Sequence, residues 1–354
     1  MAFRSRLHCF FRDIYFSRSP GKFASVIKTI LLIFVPVYIL INKLDRARKL
    51  AKKNKLAVPV ISVGNISLGG TGKTAYVIRL LAELKDRGVN PAVLKRGQSR
   101  RQGIVCAADS SNVHEYGDEV AVIHDNFPDV PIGVGKNRYK NGRVIETDMD
   151  VDLFILDDGF QHYSLERAID IVLLGSEDEV DGYRLPAGPL RESSAALERA
   201  DFISLKVKNR AAAASYLESS GGFEAGKMVH YYKFNCIIRD GVDVTEQFKN
   251  KACCLLSTLA RPVDLLEFLD DRQIEVAESV QLPDHAELCE GDIPERFRNG
   301  NLLVTEKEYV KLPERLKPVA GCIKSDLVIE PFEPLLDEIM DLITVAGKSN
   351  NENN

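Results

Sequence analysis

Gly69-Gly70-Thr71-Gly72-Lys73-Thr74 concentrates residues that handle phosphate. Glycines let backbone N–H groups approach an anion, a lysine neutralises β- and γ-phosphates, and a following Ser or Thr hydroxyl ligates Mg²⁺. In this reading Gly69, Gly70, Thr71, Gly72, Lys73 and Thr74 bind nucleotide, and Thr74 also binds the metal. The first glycine of the generic G-x-x-x-x-G-K-T pattern is replaced by Ser67, beside the extra glycines at 69, 70 and 72. Such a loop needs an acid at the end of a second buried strand. Val151-Asp-Leu-Phe-Ile-Leu-Asp-Asp158 supplies it: four apolar residues precede Asp157, and Asp158 adds a second carboxylate. Three further polar clusters follow apolar runs: Lys95-Arg96-Gly97, Gly135-Lys136-Asn137-Arg138 and Leu185-Pro186-Ala187-Gly188-Pro189-Leu190-Arg191-Glu192. Arg138 and Arg191 have the forked donors that suit phosphate oxygens.

The elements that must position these residues are legible in the pattern. Leu56–Val63 is a β-branched run that leads into the glycine loop. Val77, Ile78, Leu80, Leu81 and Leu84 then mark one side of a helix that ends at Gly88. Further strands are expected at Pro91–Leu94, Val130–Val134, Asp170–Leu174 and Phe202–Leu205. Strands alternating with helical patterns predict an α/β fold, a P-loop NTPase-like, mostly parallel sheet with helices on both faces. Lys227–Cys236 and Val242–Phe248 read as two strands about an Asp240-Gly241 hairpin signal.

Composition bounds the function. The chain has 354 residues, 45% of them hydrophobic, and a formal net charge of −4, which fits a globular body and excludes a nucleic-acid-coating protein. The charge is unevenly placed. Residues 1–55 hold 13 basic and 2 acidic side chains, and the remainder holds 34 basic and 49 acidic. Within the basic segment, Phe23–Ile41 is apolar apart from Lys28 and Pro36, and basic residues flank it on both sides. That combination predicts an uncleaved helix held against an anionic membrane surface. Its length also leaves a single span open. The seven cysteines form no C-x-x-C pair, so neither a zinc site nor a redox motif is indicated.

Taken in order, these motifs resemble the tetraacyldisaccharide 4'-kinase (lipid A 4'-kinase) family. The resemblance rests on Gly64-Asn65-Ile66 with Gly69–Thr74, Gly117-Asp118-Glu119, Asp157-Asp158-Gly159-Phe160-Gln161-His162 and Leu185–Glu192. It extends to Leu259-Ala260-Arg261-Pro262, Pro283-Asp284-His285 and Thr305-Glu306-Lys307, covering about residues 23–312. The resemblance implies an enzyme on the cytoplasmic face of the inner membrane. It would transfer the γ-phosphate of ATP, with Mg²⁺, to the 4'-hydroxyl of an acylated disaccharide lipid. It further implies that Asp118 is catalytic with Lys73 and that His285 supports Asp118. Asp157, Asp158, Gln161, His162 and Glu192 would form the metal and active-site polar set, and Arg138 and Arg191 would lie near the phosphates. The chain departs from the family pattern at Ala75, usually Pro, and at Gln98-Ser99, usually Tyr-Gly. It departs again at Ala286 and Glu287-Leu288, where a second His and an aromatic are usual. The last of these touches the acceptor side and leaves the phosphate side intact.

The expected layout is a membrane-associated segment over 1–50, a P-loop kinase domain over 51–225 and a two-stranded linker over 226–249. A smaller C-terminal α/β domain over 250–346 and a disordered tail over 347–354 complete it. Two rival readings are a GTPase and a nucleotide-gated membrane adaptor. The GTPase lacks its guanine-specifying N-K-x-D, and the adaptor leaves Asp118 and His285 without a role.

Overall fold

The computed structural model describes residues 22–68, 71–97, 101–106, 113–175, 182–219, 226–257, 263–281, 291, 293–298 and 300–351. Gly69, Gly70, Gln98, Ser99, Arg261, His285 and Ala286 therefore lie outside the described residues.

The strands that carry the predicted phosphate motifs are β1 (Val60–Gly64), β2 (Pro91–Lys95), β4 (Ile132–Val134), β5 (Leu153–Asp157), β6 (Ile169–Leu174) and β7 (Phe202–Lys206). Their side chains alternate between the two faces of the sheet. Ile61, Val63, Val93, Leu153, Ile155, Ile171 and Leu173 enter one apolar core. Val60, Ala92, Leu94, Phe154 and Leu156 enter a second, on the other face. Both faces are covered, so these strands read as unbroken apolar runs, as parallel strands must. Each fully buried Leu, Ile or Val stabilises the fold by roughly 1.5–3 kcal/mol. The pairings β1–β5, β1–β6, β2–β5, β2–β4 and β6–β7 are all parallel. Strand β3 (Gly103–Val105) closes this edge antiparallel to β4.

The other half is built from β8 (Lys227–Arg239), β10 (Ala252–Ser257), β11 (Glu275–Gln281), β12 (Leu302–Thr305) and β13 (Ala320–Glu330). It is joined to the first half without a break. β8 pairs parallel with β7 and antiparallel with β13, giving one continuous sheet in the order β11-β10-β12-β13-β8-β7-β6-β1-β5-β2-β4-β3. The hairpin expected at Asp240-Gly241 forms, with both residues at positive φ (49° and 78°). Its second strand, β9 (Val242–Asp243), is shorter than the predicted 242–248 run, because Thr245–Phe248 turns into a helix.

The two terminal helices bear on expectation differently. Helix α1 (Lys22–Leu50) forms where a helix was expected and includes both Lys28 and Pro36. It is the one helix among the described residues long and apolar enough to cross a membrane. Val26, Ile30, Ile33, Phe34, Val37, Leu40, Ile41 and Leu44 form an exposed apolar stripe along it. The opposite face meets the folded body: Lys28 lies over the Tyr183 ring, Arg46 over Tyr163, and the Tyr38 hydroxyl donates to the Arg191 carbonyl at 3.4 Å. The C-terminal helix (Glu333–Asn351) continues through most of the residues expected to be a disordered tail. Leu335, Leu336 and Ile339 anchor it in the first core.

Candidate active site

Helix α2 (Lys73–Asp86) begins at Lys73, and Gly72 before it adopts φ 86°, a left-handed conformation that only glycine takes without strain. The segment leading there is splinted by the Leu185–Glu192 loop. Leu68 N–H donates to the Pro189 carbonyl and Arg191 N–H to the Ile66 carbonyl, both at 2.7 Å. The next support is Gln161, whose Nε2 donates to the Asn65 carbonyl at 2.9 Å. Gly64 is a close-approach position: a Cβ there would stand 2.5 Å from Phe160 Cβ. The D-D-G-F-Q-H segment is thus pressed directly onto the end of β1. Thr71 is buried. Its carbonyl accepts from His230 Nε2 at 3.2 Å, while His230 Nδ1 accepts from the Ser204 hydroxyl at 2.9 Å. Burial drops the His230 pKa to about 3, which keeps the ring neutral, and the Thr71 carbonyl, which can only accept, requires the proton on Nε2.

At the end of β5 the backbone turns sharply. Asp158 is at φ 51°, an uncommon conformation for a non-glycine residue and one that tends to occur at functional sites. Its carboxylate collects cations. Arg191 donates at 3.0 and 3.2 Å, Lys73 Nζ stands at 3.6 Å, and Arg138 reaches the Asp158 carbonyl at 3.4 Å. Burial alone would raise the Asp158 pKa, but Lys73, Arg191 and Arg138 together bring it below the usual carboxylate range. Three cations around one carboxylate leave an excess of positive charge for an anion. Arg138 is buried at the first position of α4 (Arg138–Asp148), and burial lowers its pKa to about 10. Its Nε is buried without a hydrogen-bond partner among the described residues. His162 is held neutral by burial and by the nearby Arg138 and Arg167, with a pKa of about 3.

Asp157 is almost fully buried and ion-pairs with Lys95, the last residue of β2. Lys95 also meets Glu119 Oε2 at 2.7 Å. Burial would lower the Lys95 pKa, but the two carboxylates outweigh it and hold the ammonium charged. Glu119 and Asp118 open helix α3 (Asp118–Asn126), where acids suit the positive end of the helix. Asp118 Oδ2 lies 2.8 Å from Lys311 Nζ, which comes from the other half of the sheet.

Of the residues singled out from sequence, the fold brings Lys73, Arg138 and Arg191 onto Asp158, with Asp157 beside it; sequence reasoning is less complete for the rest. It notes Lys95 only as part of a polar strand end, and misses Lys311 and His230. Lys95 carried a signal, a lysine closing an apolar strand beside the acid strand; the other two carried none. The metal expectation for Glu192 meets a different picture. Its oxygens accept from Gln161 Nε2 at 3.0 Å, from the Tyr163 hydroxyl at 2.9 Å and from Arg199 at 3.0 and 3.2 Å. No group of three or more His, Cys, Asp and Glu side chains that could hold a metal occurs among the described residues. Thr74 in the first turn of α2, Asp157 closing β5 and Asp158 after it are the kind of oxygen donors that Mg²⁺ takes alongside substrate phosphates.

Comparison with known proteins bears on this arrangement. The family described as Tetraacyldisaccharide-1-P 4'-kinase matches residues 27–341. Tetraacyldisaccharide 4'-kinase of Neisseria meningitidis serogroup C is 31% identical over 301 residues, 81% of this chain and 84% of that protein. The enzyme of the same name from Syntrophobacter fumaroxidans is 32% identical over 308 residues, 81% and 80%. Among solved structures, the "apo" form of LpxK from Aquifex aeolicus in complex with ATP superposes with a TM-score of 0.72 at 29% identity. That match covers 90% of this chain and 99% of that one.

Proposed function

The chain belongs to the tetraacyldisaccharide-1-P 4'-kinase family, and from that premise we propose that it transfers the γ-phosphate of ATP to the 4'-hydroxyl of an acylated disaccharide 1-phosphate. The observation that carries this reading is the convergence of Lys73, Arg138 and Arg191 on Asp158, next to Asp157, at the end of β5. Phosphoryl transfer asks little covalent chemistry of a protein; it needs positioning and charge stabilisation. Lys73 and the amides at the start of α2 bind the triphosphate. Arg138 and Arg191 are placed to take up charge on the transferred group. Thr74 and Asp157, with Asp158 beside them, would hold Mg²⁺, which when bound adds further charge neutralisation. Glu192 keeps Gln161 and Arg199 in place, and through Gln161 it supports the backbone at Asn65.

Asp118 accepts the proton of the attacking sugar hydroxyl or orients that hydroxyl. Lys311 holds its carboxylate from the second half of the sheet, and His285 is assigned the same supporting role from the family resemblance. The acceptor is a lipid, and α1 gives the enzyme a place to meet it. One face of α1 is seated on the body through Lys28, Tyr38 and Arg46, and the other is an apolar stripe. A helix covered on one side by protein lies along a bilayer more readily than it spans one. Its basic flanks suit the anionic cytoplasmic leaflet of the inner membrane.

The test is incubation of the full chain with γ-labelled ATP, Mg²⁺ and tetraacyldisaccharide 1-phosphate. Label in the lipid, released by mild 4'-phosphatase treatment, is the expected result. Nucleotide binding with no labelled lipid would overturn the reading in favour of a nucleotide-gated adaptor.

A further inference from the structure

Lys95 is a lysine held inside the protein, with only 8% of its side chain exposed, between two carboxylates from different elements. Asp157 ends β5 and Glu119 lies in the first turn of α3. Burying an ammonium is costly, so a fold keeps one where the charge is needed. Neutralising Asp157 alone would need one contact, yet the same Nζ also reaches Glu119 at 2.7 Å. Glu119 is the neighbour in sequence of Asp118, and Asp157 is the acid that the proposed function gives to the metal. Lys95 is therefore the side chain that connects the metal acid to the helix carrying the proton acceptor.

A divalent cation and an ammonium compete for one carboxylate, because like charges repel strongly at contact distance inside a protein. We propose that Lys95 is a positioning residue that redistributes its charge: it is shared between Asp157 and Glu119 when no metal is bound, and rests on Glu119 alone when a divalent cation takes Asp157. The redistribution keeps the buried lysine paired in both states. The inference rests on the reading of Asp157 as a metal carboxylate and goes beyond it, by giving the site an internal competitor for its metal.

The two partners predict shifts of opposite sign. Removing the competitor in Lys95→Met leaves Asp157 unpaired and eager for a cation. Removing the second acceptor in Glu119→Gln leaves Lys95 only Asp157 to hold, so the metal must displace it without compensation. The probe is a fluorescent ATP analogue bound by the full chain while free Mg²⁺ is varied, read as the Mg²⁺ midpoint of tight binding. Lys95→Met is expected to lower that midpoint about tenfold and Glu119→Gln to raise it about tenfold, within the range for groups that support metal ligands. Midpoints that stay put, or that move in the same direction, overturn the proposal. Glu119 is partly exposed, so Glu119→Gln decides the matter by itself if Lys95→Met does not fold: a midpoint that fails to rise is then the negative result. The measurement contains no lipid. Absence of lipid phosphorylation would overturn the kinase reading, while these midpoints would still test Lys95.

Discussion

Two strand-to-helix junctions in the same sheet handle the positive end of a helix in opposite ways. At the first, β1 ends at Gly64 and α2 begins at Lys73, with residues 65–72 between them and no acid in the first turn of α2. At the second, β12 ends at Thr305 and passes directly into the short helix Glu306–Tyr309. That helix supplies its own anions. Glu306 pairs with Lys324, and buried Glu308 accepts the Thr305 hydroxyl. Both junctions follow a parallel strand flanked by parallel neighbours, so the architecture does not distinguish them. The placement of charge does. One junction satisfies its helix with internal carboxylates; the other gathers Lys73, Arg138 and Arg191 about Asp158, the cluster to which the proposed function gives the phosphates.

The largest effect should come from the acid proposed to accept the proton. Asp118→Ala is expected to lower kcat by roughly 10²–10⁴, the usual range for loss of a general base, with the ATP dissociation constant nearly unchanged. Single-turnover transfer from labelled ATP separates the two quantities. Near-normal turnover would remove Asp118 from the reaction and leave the charge cluster as a binding site only.

The comparison can also be broken by converting one junction into the other. Thr74→Glu places a carboxylate in the first turn of α2, as Glu306 does in the second half. The new charge should repel the triphosphate and weaken ATP binding about 100-fold, a change on the scale of a like-charge contact near a protein surface. Titration calorimetry checks it. Unaltered affinity would mean that the start of α2 does not bind phosphate.

Acid should act on stability instead of on the reaction. Two neutral histidines, His162 and His230, sit behind the first junction, each with a pKa of about 3 in the fold. Unfolded, each has a pKa of about 6.5, so between about 3 and 6.5 the unfolded chain binds more protons than the folded one. Stability is therefore full above about pH 6.5 and falls as pH drops, by about 1.4 kcal/mol per pH unit for each histidine. Urea midpoints at pH 7 and pH 5 measure this loss. His230→Asn should make the dependence shallower; an unchanged dependence would show that His230 is not buried neutral behind Thr71.

How much of this was legible follows from what each residue depends on. Lys73, Thr74 and Asp157 sit in local patterns whose chemistry is fixed by spacing, so strand, loop, helix and acid could be placed from sequence. The β5 residues show the same for the fold: an unbroken apolar run announces a strand covered on both faces. Lys311 meets Asp118 only because β12 and β13 bring the second half alongside α3, and no local pattern encodes such a pairing. His230 likewise meets Thr71 only because β8 pairs with β7. The continuity of the sheet depends on the antiparallel register of β8 with β13, a choice made by packing that a single sequence does not display. Lys28 and Pro36 break the apolar run of α1 in sequence. In the structure Lys28 settles over Tyr183 and Pro36 sits exposed within the continuous helix, so the charge is placed by a contact with the body that no local pattern displays.

The smallest expected effect tests whether the second junction is structural alone. Thr305→Ala removes the hydroxyl that donates to buried Glu308. Loss of a hydrogen bond to a buried carboxylate should cost about 1.5 kcal/mol, seen as a lower urea midpoint with an unchanged denaturant slope. Transfer to lipid should continue at the parental kcat, because no charge near Lys73 changes. Lys311 follows the Glu306–Tyr309 helix closely in the chain and pairs with Asp118. A fall in kcat without a change in ATP affinity would therefore show that this helix also sets the position of Asp118. The two junctions would then be successive parts of one device, the first holding the phosphate and the second steadying the group that accepts the proton.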